Sequence, residues 1–221
     1  MKPEISVVLG SFNRKRYLKK IIASIRQNDI KVPFEIIVID GGSKDGSIRW
    51  LTNQKDIITI VQYNHGTWHG KPVRHRSWGY FMNIAFKAAH GKYIVLISDD
   101  NLFVPGAVMN SFNMFEKLLK EGRKVGALAF YWRNWPGMDH YWVSQSFGKM
   151  TVNFGMFLKD ALQDVGWIDE DSYQFYAADL DLALRLWQAG FEVVDCKNAL
   201  VEHHPKPNVY RKSSEDQQEF V

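Results

Sequence analysis

The chain has 221 residues, of which 46% are hydrophobic and 24% are charged, and its formal net charge is +4. This length allows one substantial domain, and the composition is ordinary for a globular protein with a real core. The charge is mild for the size, and neither a basic recognition helix nor an aromatic RNA-binding strand accompanies it, so no nucleic-acid partner is expected.

Several features bear on the cellular compartment. A single cysteine, Cys196, excludes an internal disulfide, and no segment reaches the roughly 20 apolar residues of a membrane-spanning helix. No apolar leader follows the N-terminal Met-Lys-Pro, so we expect a cytoplasmic protein. Basic residues cluster at 13–20, 71–76 and 203–212. These clusters favour either solvated surfaces or attraction to phosphates, which leaves a peripheral membrane contact open.

Strands and helices alternate through the first hundred residues. Apolar β-branched runs predict strands, and apolar residues at helical spacing predict helices. The predicted segments are strand 5–12, helix 14–28, strand 34–40, helix 47–54 with Ser47 as N-cap, strand 58–64, helix 79–91 ended by Gly91, and strand 92–100. Near-continuous apolar strands separated by helices predict an α/β fold with a mostly parallel central sheet flanked by helices.

The second half continues this pattern with more loops. The predicted segments are helix 104–122, strand 124–132, an aromatic loop at 133–150, helices 157–166 and 177–190, one or two strands within 191–204, and the start of a polar helix at 213–220. No repeat or long linker interrupts the chain, so we expect a single domain over residues 1–221.

Polar side chains follow the predicted strands where each strand ends. Ligands of parallel sheets bind at this carboxyl edge. The segments expected there are Ser11-Phe12-Asn13, Asp40-Gly41-Gly42-Ser43, Asn64-His65-Gly66 and Asp99-Asp100-Asn101. Adjacent carboxylates such as Asp99 and Asp100 repel one another unless a cation or donors lie beside them, and they suit Mg²⁺ or Mn²⁺. A plain turn and helix-cap cluster is the alternative.

Two further groups are candidates for chemistry, and a third is assigned to structure. Asp179 lies at a predicted helix start, where the macrodipole favours its ionised form and where it would serve as a general base. Asp181 has Arg185 at i+4, which indicates a structural ion pair. His203 and His204 end a predicted strand, point to opposite faces, and at most one of them is expected to complete a metal site.

Four segments, taken in order, resemble the inverting, nucleotide-sugar-dependent glycosyltransferases of family 2, which have the GT-A fold. The resemblance covers about residues 4–204. It is carried by "ISVVLGSFNRKRYLKKIIASI", "FEIIVIDGGSKDGS", "NIAFKAAHGKYIVLISDDN" and "FYAADLDLALRLWQAGFEV". It implies a single GT-A, Rossmann-like domain with a nucleotide-binding half at about 1–101 and an acceptor-binding half at about 102–221.

The resemblance also implies roles for individual residues. Asp179 would be the base that deprotonates an acceptor hydroxyl on a glycan, polysaccharide or lipid-linked sugar. Asp100, with His203 or His204, would bind Mn²⁺ or Mg²⁺ at the diphosphate of the nucleotide-sugar donor. The residues implied to hold that donor are Ser11, Phe12, Asn13, Asp40, Arg76, Asn83 and Asp99.

The sequence departs from the family pattern at three places. Ala178 replaces the usual Glu before the base, Gly41 replaces a carboxylate that often reads uracil, and Ile97 replaces another expected carboxylate. Ala178 and Ile97 keep open the alternative of an inactive sugar-binding module, and a sugar nucleotidyltransferase, which uses a similar sheet and metal, is the other alternative. In the aromatic loop and the strand before it, flat indole faces favour stacking on an acceptor sugar. The candidates for that role are Trp132, Trp135 and Trp142.

Overall fold

The computed structural model describes residues 2–204, which form six helices, one eight-stranded sheet and two small hairpins. The predicted helix at 213–220 lies outside the described residues. The helices are α1 (Lys15–Arg26), α2 (Ser47–Thr52), α3 (Trp78–Ala88), α4 (Ala107–Lys120), α5 (Lys159–Asp164) and α6 (Ala178–Gln188). The strands are β1 (Ile5–Ser11), β2 (Phe34–Asp40), β3 (Ile57–Val61), β4 (Thr67–Trp68), β5 (Lys71–Pro72), β6 (Tyr93–Leu96), β7 (Asn101–Phe103), β8 (Val125–Asn134), β9 (Gln145–Ser146), β10 (Lys149–Met150), β11 (Gly155–Leu158) and β12 (Glu192–His203).

The large sheet has the order β3-β2-β1-β6-β11-β8-β12-β7. The four strands of the first half are mutually parallel, and β12 is parallel to β8. β11 runs antiparallel to both of its neighbours, and β7 runs antiparallel to β12. The predicted α/β architecture is therefore confirmed, with antiparallel strands inserted in the second half.

Helices cover both faces of this sheet because the central strands are apolar on both sides. Along β1, Val7 and Leu9 pack into one cluster with α1 and α4, whereas Val8 packs into the other cluster with α3 and α6. Side chains alternate between faces along a strand, so a continuous apolar run needs cover on each side. All of these β1 side chains have 0% exposure.

Two residues predicted to end or cap a helix have other roles. α3 ends at Ala88 rather than at Gly91, because the amide of Gly91 donates to Ser6 Oγ at 2.9 Å against β1. A Cβ on Gly91 would lie 2.7 Å from the backbone nitrogen of Ser6, so the glycine permits a close approach and does not stop the helix. Ser47 is not the N-cap of α2 but its first residue, following Gly46 at φ 84°.

Two strands in the large sheet were missed by the sequence patterns. β7 has three residues, and β11 takes up the start of the segment predicted as helix 157–166, so that α5 begins only at Lys159. Both strands are too short to show an alternating pattern that would distinguish them from a loop. β11 nevertheless matters for the site, since it lies directly beside β6.

Candidate active site

The loops after β1 and β2 interlock at the carboxyl edge of the sheet. Ser11 and Asp40 are register partners at the ends of these strands. Beyond them, the Asn13 amide donates to Ser43 Oγ, and Asn13 Oδ1 accepts from the Lys44 amide, each at 2.8 Å. Asn13 adopts a φ of 53°, which asparagine tolerates better than most residues. The expected convergence of the first two strand ends is therefore confirmed.

Asp40 lies beneath this loop rather than on it. Its side chain is fully buried, and Oδ1 accepts hydrogen bonds from the amides of Gly42 at 2.9 Å and Ser43 at 2.6 Å. Its Oδ2 is buried and has no partner among the described residues. Asp40 thus shapes the loop, and a direct contact with the nucleoside stays a prediction.

The expectation that Asn83 lines the same pocket is wrong. Asn83 has 3% exposure, and both ends of its amide are used. Nδ2 donates to the carbonyl of Ile168 at 2.9 Å and to Glu170 at 2.7 Å, while Oδ1 accepts from the Ile168 amide at 3.0 Å. Asn83 therefore fastens α3 to the segment after α5.

Aromatic and basic side chains border the loop after β3. The ring of Phe12 lies 4.8 Å from that of His65. Asn64 holds the two ends of segment 64–76 together, since its Oδ1 accepts from the Arg76 amide at 2.6 Å and its Nδ2 donates to the Arg76 carbonyl at 3.1 Å. The Asn64 amide donates to the carbonyl of Gly41 at 3.2 Å, which brings Arg76 to the edge where β2 ends.

Asp99 and Asp100 form the buried centre of the site. Asp99 has 5% exposure and Asp100 has 2%. Ser11 Oγ donates to Asp99 Oδ2 at 2.8 Å, and Arg14 Nη1 bridges Asp99 Oδ1 and Asp100 Oδ2 at 2.8 Å each. Ser98 Oγ donates to Asp100 Oδ1 at 2.7 Å. Ser11 therefore reaches Asp99, and the repulsion expected between the two carboxylates is relieved by Arg14.

The two carboxylates differ in their acidity. Burial raises the pKa of Asp99 to about 6, against the attraction of Arg14. Burial also opposes ionisation of Asp100, but the nearby His203 ring and the hydrogen bonds from Arg14 and Ser98 outweigh it and hold the pKa of Asp100 well below its usual range. Asp100 is thus the carboxylate that stays ionised across the whole neutral and mildly acidic range.

The two histidines differ in what they contact. His203 Nε2 lies 3.7 Å from Asp100 Oδ1, and its Nδ1 lies 2.7 Å from Asn134 Oδ1. His204 donates its backbone amide to the carbonyl of Asp100 at 2.8 Å. Burial lowers the pKa of the His204 imidazole, and its Nε2 has no partner among the described residues. Only His203 presents its ring to the Asp100 carboxylate.

Asp179 reaches the same edge of the sheet from α6. Asn153 Nδ2 donates to Asp179 Oδ2 at 2.8 Å. Asn153 lies two residues before Gly155, which is the register partner of Leu96 in the antiparallel β6–β11 pair. Asn153 therefore lies beyond the end of β6, on the side from which Asp99 and Asp100 follow, and Asp179 lies there with it.

Burial outweighs the ionisation that the helix start favours at Asp179. Burial raises the pKa of Asp179, against its hydrogen bonds from the Leu180 amide and from Asn153. A carboxylate with a raised pKa is a stronger base once it has lost its proton. Asp181, in contrast, pairs with Arg185 at 2.7 Å, as its i+4 spacing predicted.

The tryptophans differ in their availability. Trp135 has 43% exposure and Trp142 has 37%. The ring of Trp132 lies 4.3 Å from that of Trp142 and 5.9 Å from that of His203, and its Nε1 is buried. Trp132 therefore packs behind His203 rather than presenting an open face. Trp135 and Trp142 keep exposed surface that suits an acceptor sugar.

The residues present fit a divalent ion. Among the described residues, no group of three or more His, Cys, Asp or Glu is placed to hold an ion. Asp100 and His203 supply one carboxylate oxygen and one imidazole nitrogen, and Mg²⁺ or Mn²⁺ commonly takes its other ligands from water and substrate phosphates. Arg14 cancels one of the two Asp charges, which leaves one negative charge for the ion.

Comparisons with known proteins identify the family of this chain. The model of the family described as "Glycosyl transferase family 2" matches residues 6–168, which is most of the chain. This chain belongs to glycosyl transferase family 2. The chain is 23% identical over 239 aligned residues to the chondroitin synthase of Pasteurella multocida, covering 86% of this chain and 24% of that protein.

Solved structures of low sequence identity share the fold. The mannosyltransferase PcManGT from Pyrobaculum calidifontis, in complex with GDP-Man and Mn²⁺, matches with a TM-score of 0.66 at 16% identity, covering 96% of this chain and 60% of that one. S. aureus TarS 1–349 in complex with UDP-GlcNAc matches with a TM-score of 0.67 at 16% identity, covering 97% and 61%. The predicted GT-A fold is confirmed.

Proposed function

We propose that this protein is an inverting, metal-dependent glycosyltransferase that moves a sugar from a nucleotide sugar to an acceptor hydroxyl. The observation that carries the proposal is the meeting of two groups at one sheet edge. One is the carboxylate pair Asp99 and Asp100, tied to the first strand end by Ser11 and Arg14, and the other is Asp179, held by Asn153. Family membership favours this reaction over the nucleotidyltransferase alternative.

The donor would lie over the interlocked loops after β1 and β2. Phe12, Asn13 and Arg76 surround that edge with an aromatic face, an amide and a cation, and Asp99 would face the ribose. In the comparison structures, PcManGT holds GDP-Man and TarS holds UDP-GlcNAc, so both a purine and a pyrimidine donor belong in the test.

Asp100 and His203 would hold the metal ion. When bound, Mn²⁺ or Mg²⁺ would stabilise the negative charge that builds on the departing diphosphate. The buried and ionised Asp100 suits such an ion, because a carboxylate with a low pKa remains a ligand without first losing a proton. Arg14 keeps the neighbouring Asp99 in place without a second ion.

The reaction itself is one displacement. The acceptor oxygen attacks the anomeric carbon from the face opposite the diphosphate. The bond from that carbon to the phosphate oxygen breaks, and its electron pair stays on the diphosphate. Asp179 takes the proton of the acceptor hydroxyl. One carboxylate base is sufficient, and the anomeric configuration inverts.

Trp135 and Trp142 would hold a carbohydrate or lipid-linked acceptor. Among the described residues, no helix is long and apolar enough to cross a membrane.

The test is release of nucleoside diphosphate from a panel of UDP-, GDP- and dTDP-sugars with Mn²⁺ and a mixture of acceptors. We expect Asp179→Asn to lower kcat by about 10²–10⁴-fold, the usual contribution of general-base catalysis. Asp181→Asn is the matched control, since Asp181 lies on the same helix but only pairs with Arg185. Equal loss in both variants would refute the base assignment, and no turnover with any donor would favour the inactive sugar-binding module.

A further inference from the structure

The imidazole of His203 is held by a side chain that the sequence did not single out. Asn134 and His203 are register partners in the parallel pair β8–β12. The Trp135 amide also donates to the carbonyl of His203 at 2.8 Å, so the two backbones are fixed beside each other. From this position Asn134 Oδ1 lies 2.7 Å from His203 Nδ1.

This contact determines where the imidazole carries its proton. An amide oxygen can only accept a hydrogen bond, so Nδ1 must be the donor. In the neutral ring the lone pair is then on Nε2, which faces Asp100 Oδ1 across 3.7 Å. In this neutral ring two acceptor atoms face each other, an arrangement that a cation between them stabilises, whereas in the protonated ring Nε2–H points at Asp100. Among the described residues, the His203 ring also lies near two aromatic rings, Trp132 at 5.9 Å and Phe154 at 6.0 Å between ring centroids, and neither ring offers a competing acceptor.

We propose that Asn134 is a positioning residue that fixes the Nδ1–H tautomer of His203 and thereby prepares Nε2 and Asp100 to bind a divalent ion. This inference rests on the metal site of the proposed function. Partners that orient a ligating histidine typically contribute 10–100-fold to metal affinity. Asn134 would therefore affect the reaction without touching the donor, the acceptor or the ion.

The experiment measures the affinity for Mn²⁺ alone by electron paramagnetic resonance at pH 8, where histidines are generally neutral. We expect Asn134→Leu to bind Mn²⁺ about 10–100-fold more weakly, because the ring loses its acceptor. Asn134→Asp restores an acceptor oxygen and is expected to restore binding. Asn198→Leu is the matched control, since it makes the same change at an exposed position on β12 and should leave the affinity unchanged.

A second readout does not depend on the metal. Nitrogen-15 NMR of the metal-free protein distinguishes the two tautomers, and we expect His203 to carry its proton on Nδ1 in the unaltered protein and to lose this preference in Asn134→Leu. Proton occupancy on Nε2, or equal Mn²⁺ affinity of Asn134→Leu and the unaltered protein, would overturn the inference alone. Failure of the unaltered protein to bind Mn²⁺ would overturn the metal assignment as well.

Discussion

Arg14 provides the sharpest test of the buried carboxylate centre. Its guanidinium bonds both Asp99 and Asp100 at 2.8 Å, with side-chain exposures of 18%, 7% and 1% for the three residues. Replacing Arg14 with Met keeps most of the volume but leaves two adjacent carboxylates buried without their cation. Breaking a buried ion pair from one side costs about 3–5 kcal/mol. For a chain of this size that corresponds to a melting temperature lower by roughly 6–20 °C.

The control for this variant is Arg26→Met. Arg26 makes an ion pair of similar length, 2.7 Å, with Asp56, but its side chain is 39% exposed and that of Asp56 is 53% exposed. Exposed pairs contribute about 0–1 kcal/mol, so this variant should unfold nearly as the unaltered protein does. Urea unfolding at about pH 8 compares the three proteins.

The pH dependence gives the Arg14 prediction a second test. Burial raises the pKa of Asp99 to about 6, so its charge is present above that pH and is lost below it. Removing Arg14 raises the pKa of Asp99 further, so the deficit of Arg14→Met should be largest at pH 8 and should shrink as the pH falls towards 6, because protonation of Asp99 in the variant removes one unpaired charge. A deficit below about 1 kcal/mol at pH 8, matching the Arg26 control, would refute the reasoning.

Three further predictions concern the base, the sheet and the acceptor. Asn153→Leu removes a hydrogen bond that lowers the pKa of Asp179, so the acidic limb of the kcat/KM profile should move to higher pH, and an unmoved limb would contradict this. Gly91→Ala should lower the free energy of unfolding, measured in urea, by about 1–3 kcal/mol, because the added Cβ would meet the β1 backbone. Gly137→Ala should leave it unchanged, because the space around Gly137 is open. Trp135→Ala should raise KM for the acceptor while leaving KM for the donor unchanged, and the reverse split would remove Trp135 from the acceptor site.

The sequence predicted most of the fold because its dominant signals are local. Apolar periodicity was sufficient for the parallel strands and for α1, α3, α4 and α6, and the order of polar loops after strands identified the edge where the site lies. Short elements such as β7 and β11 carry too few residues for a period to appear. Their placement depends on which strands they pair with, which is a tertiary property.

The candidate site was predicted only in part, for a related reason. The sequence indicated Asp99, Asp100 and Asp179, because a carboxylate at the end of a strand or the start of a helix is a candidate metal ligand or base. Arg14 was missed because its partners lie 85 and 86 residues away in the chain, and locally it looks like one member of a basic cluster. Asn153 was missed likewise, since only its contact with Asp179 distinguishes it from a loop asparagine.

The two misassigned side chains show the converse limit. Asn83 has a residue type suited to a nucleoside pocket, yet its amide is used entirely within the protein. Trp132 has an indole suited to stacking on sugar, yet it packs against Trp142 and His203. Residue type indicates which chemistry is possible, but the direction in which a side chain points depends on its neighbours in the fold.

The most direct measurement is anomalous diffraction at the manganese edge from crystals grown with Mn²⁺ and UDP, and in parallel with GDP. We expect one manganese peak bonded to Asp100 and His203 and to the diphosphate, with Asp179 facing the opposite side of the same cleft. A manganese ion bound away from Asp100, or a diphosphate on a surface that Asp179 does not share, would contradict this expectation.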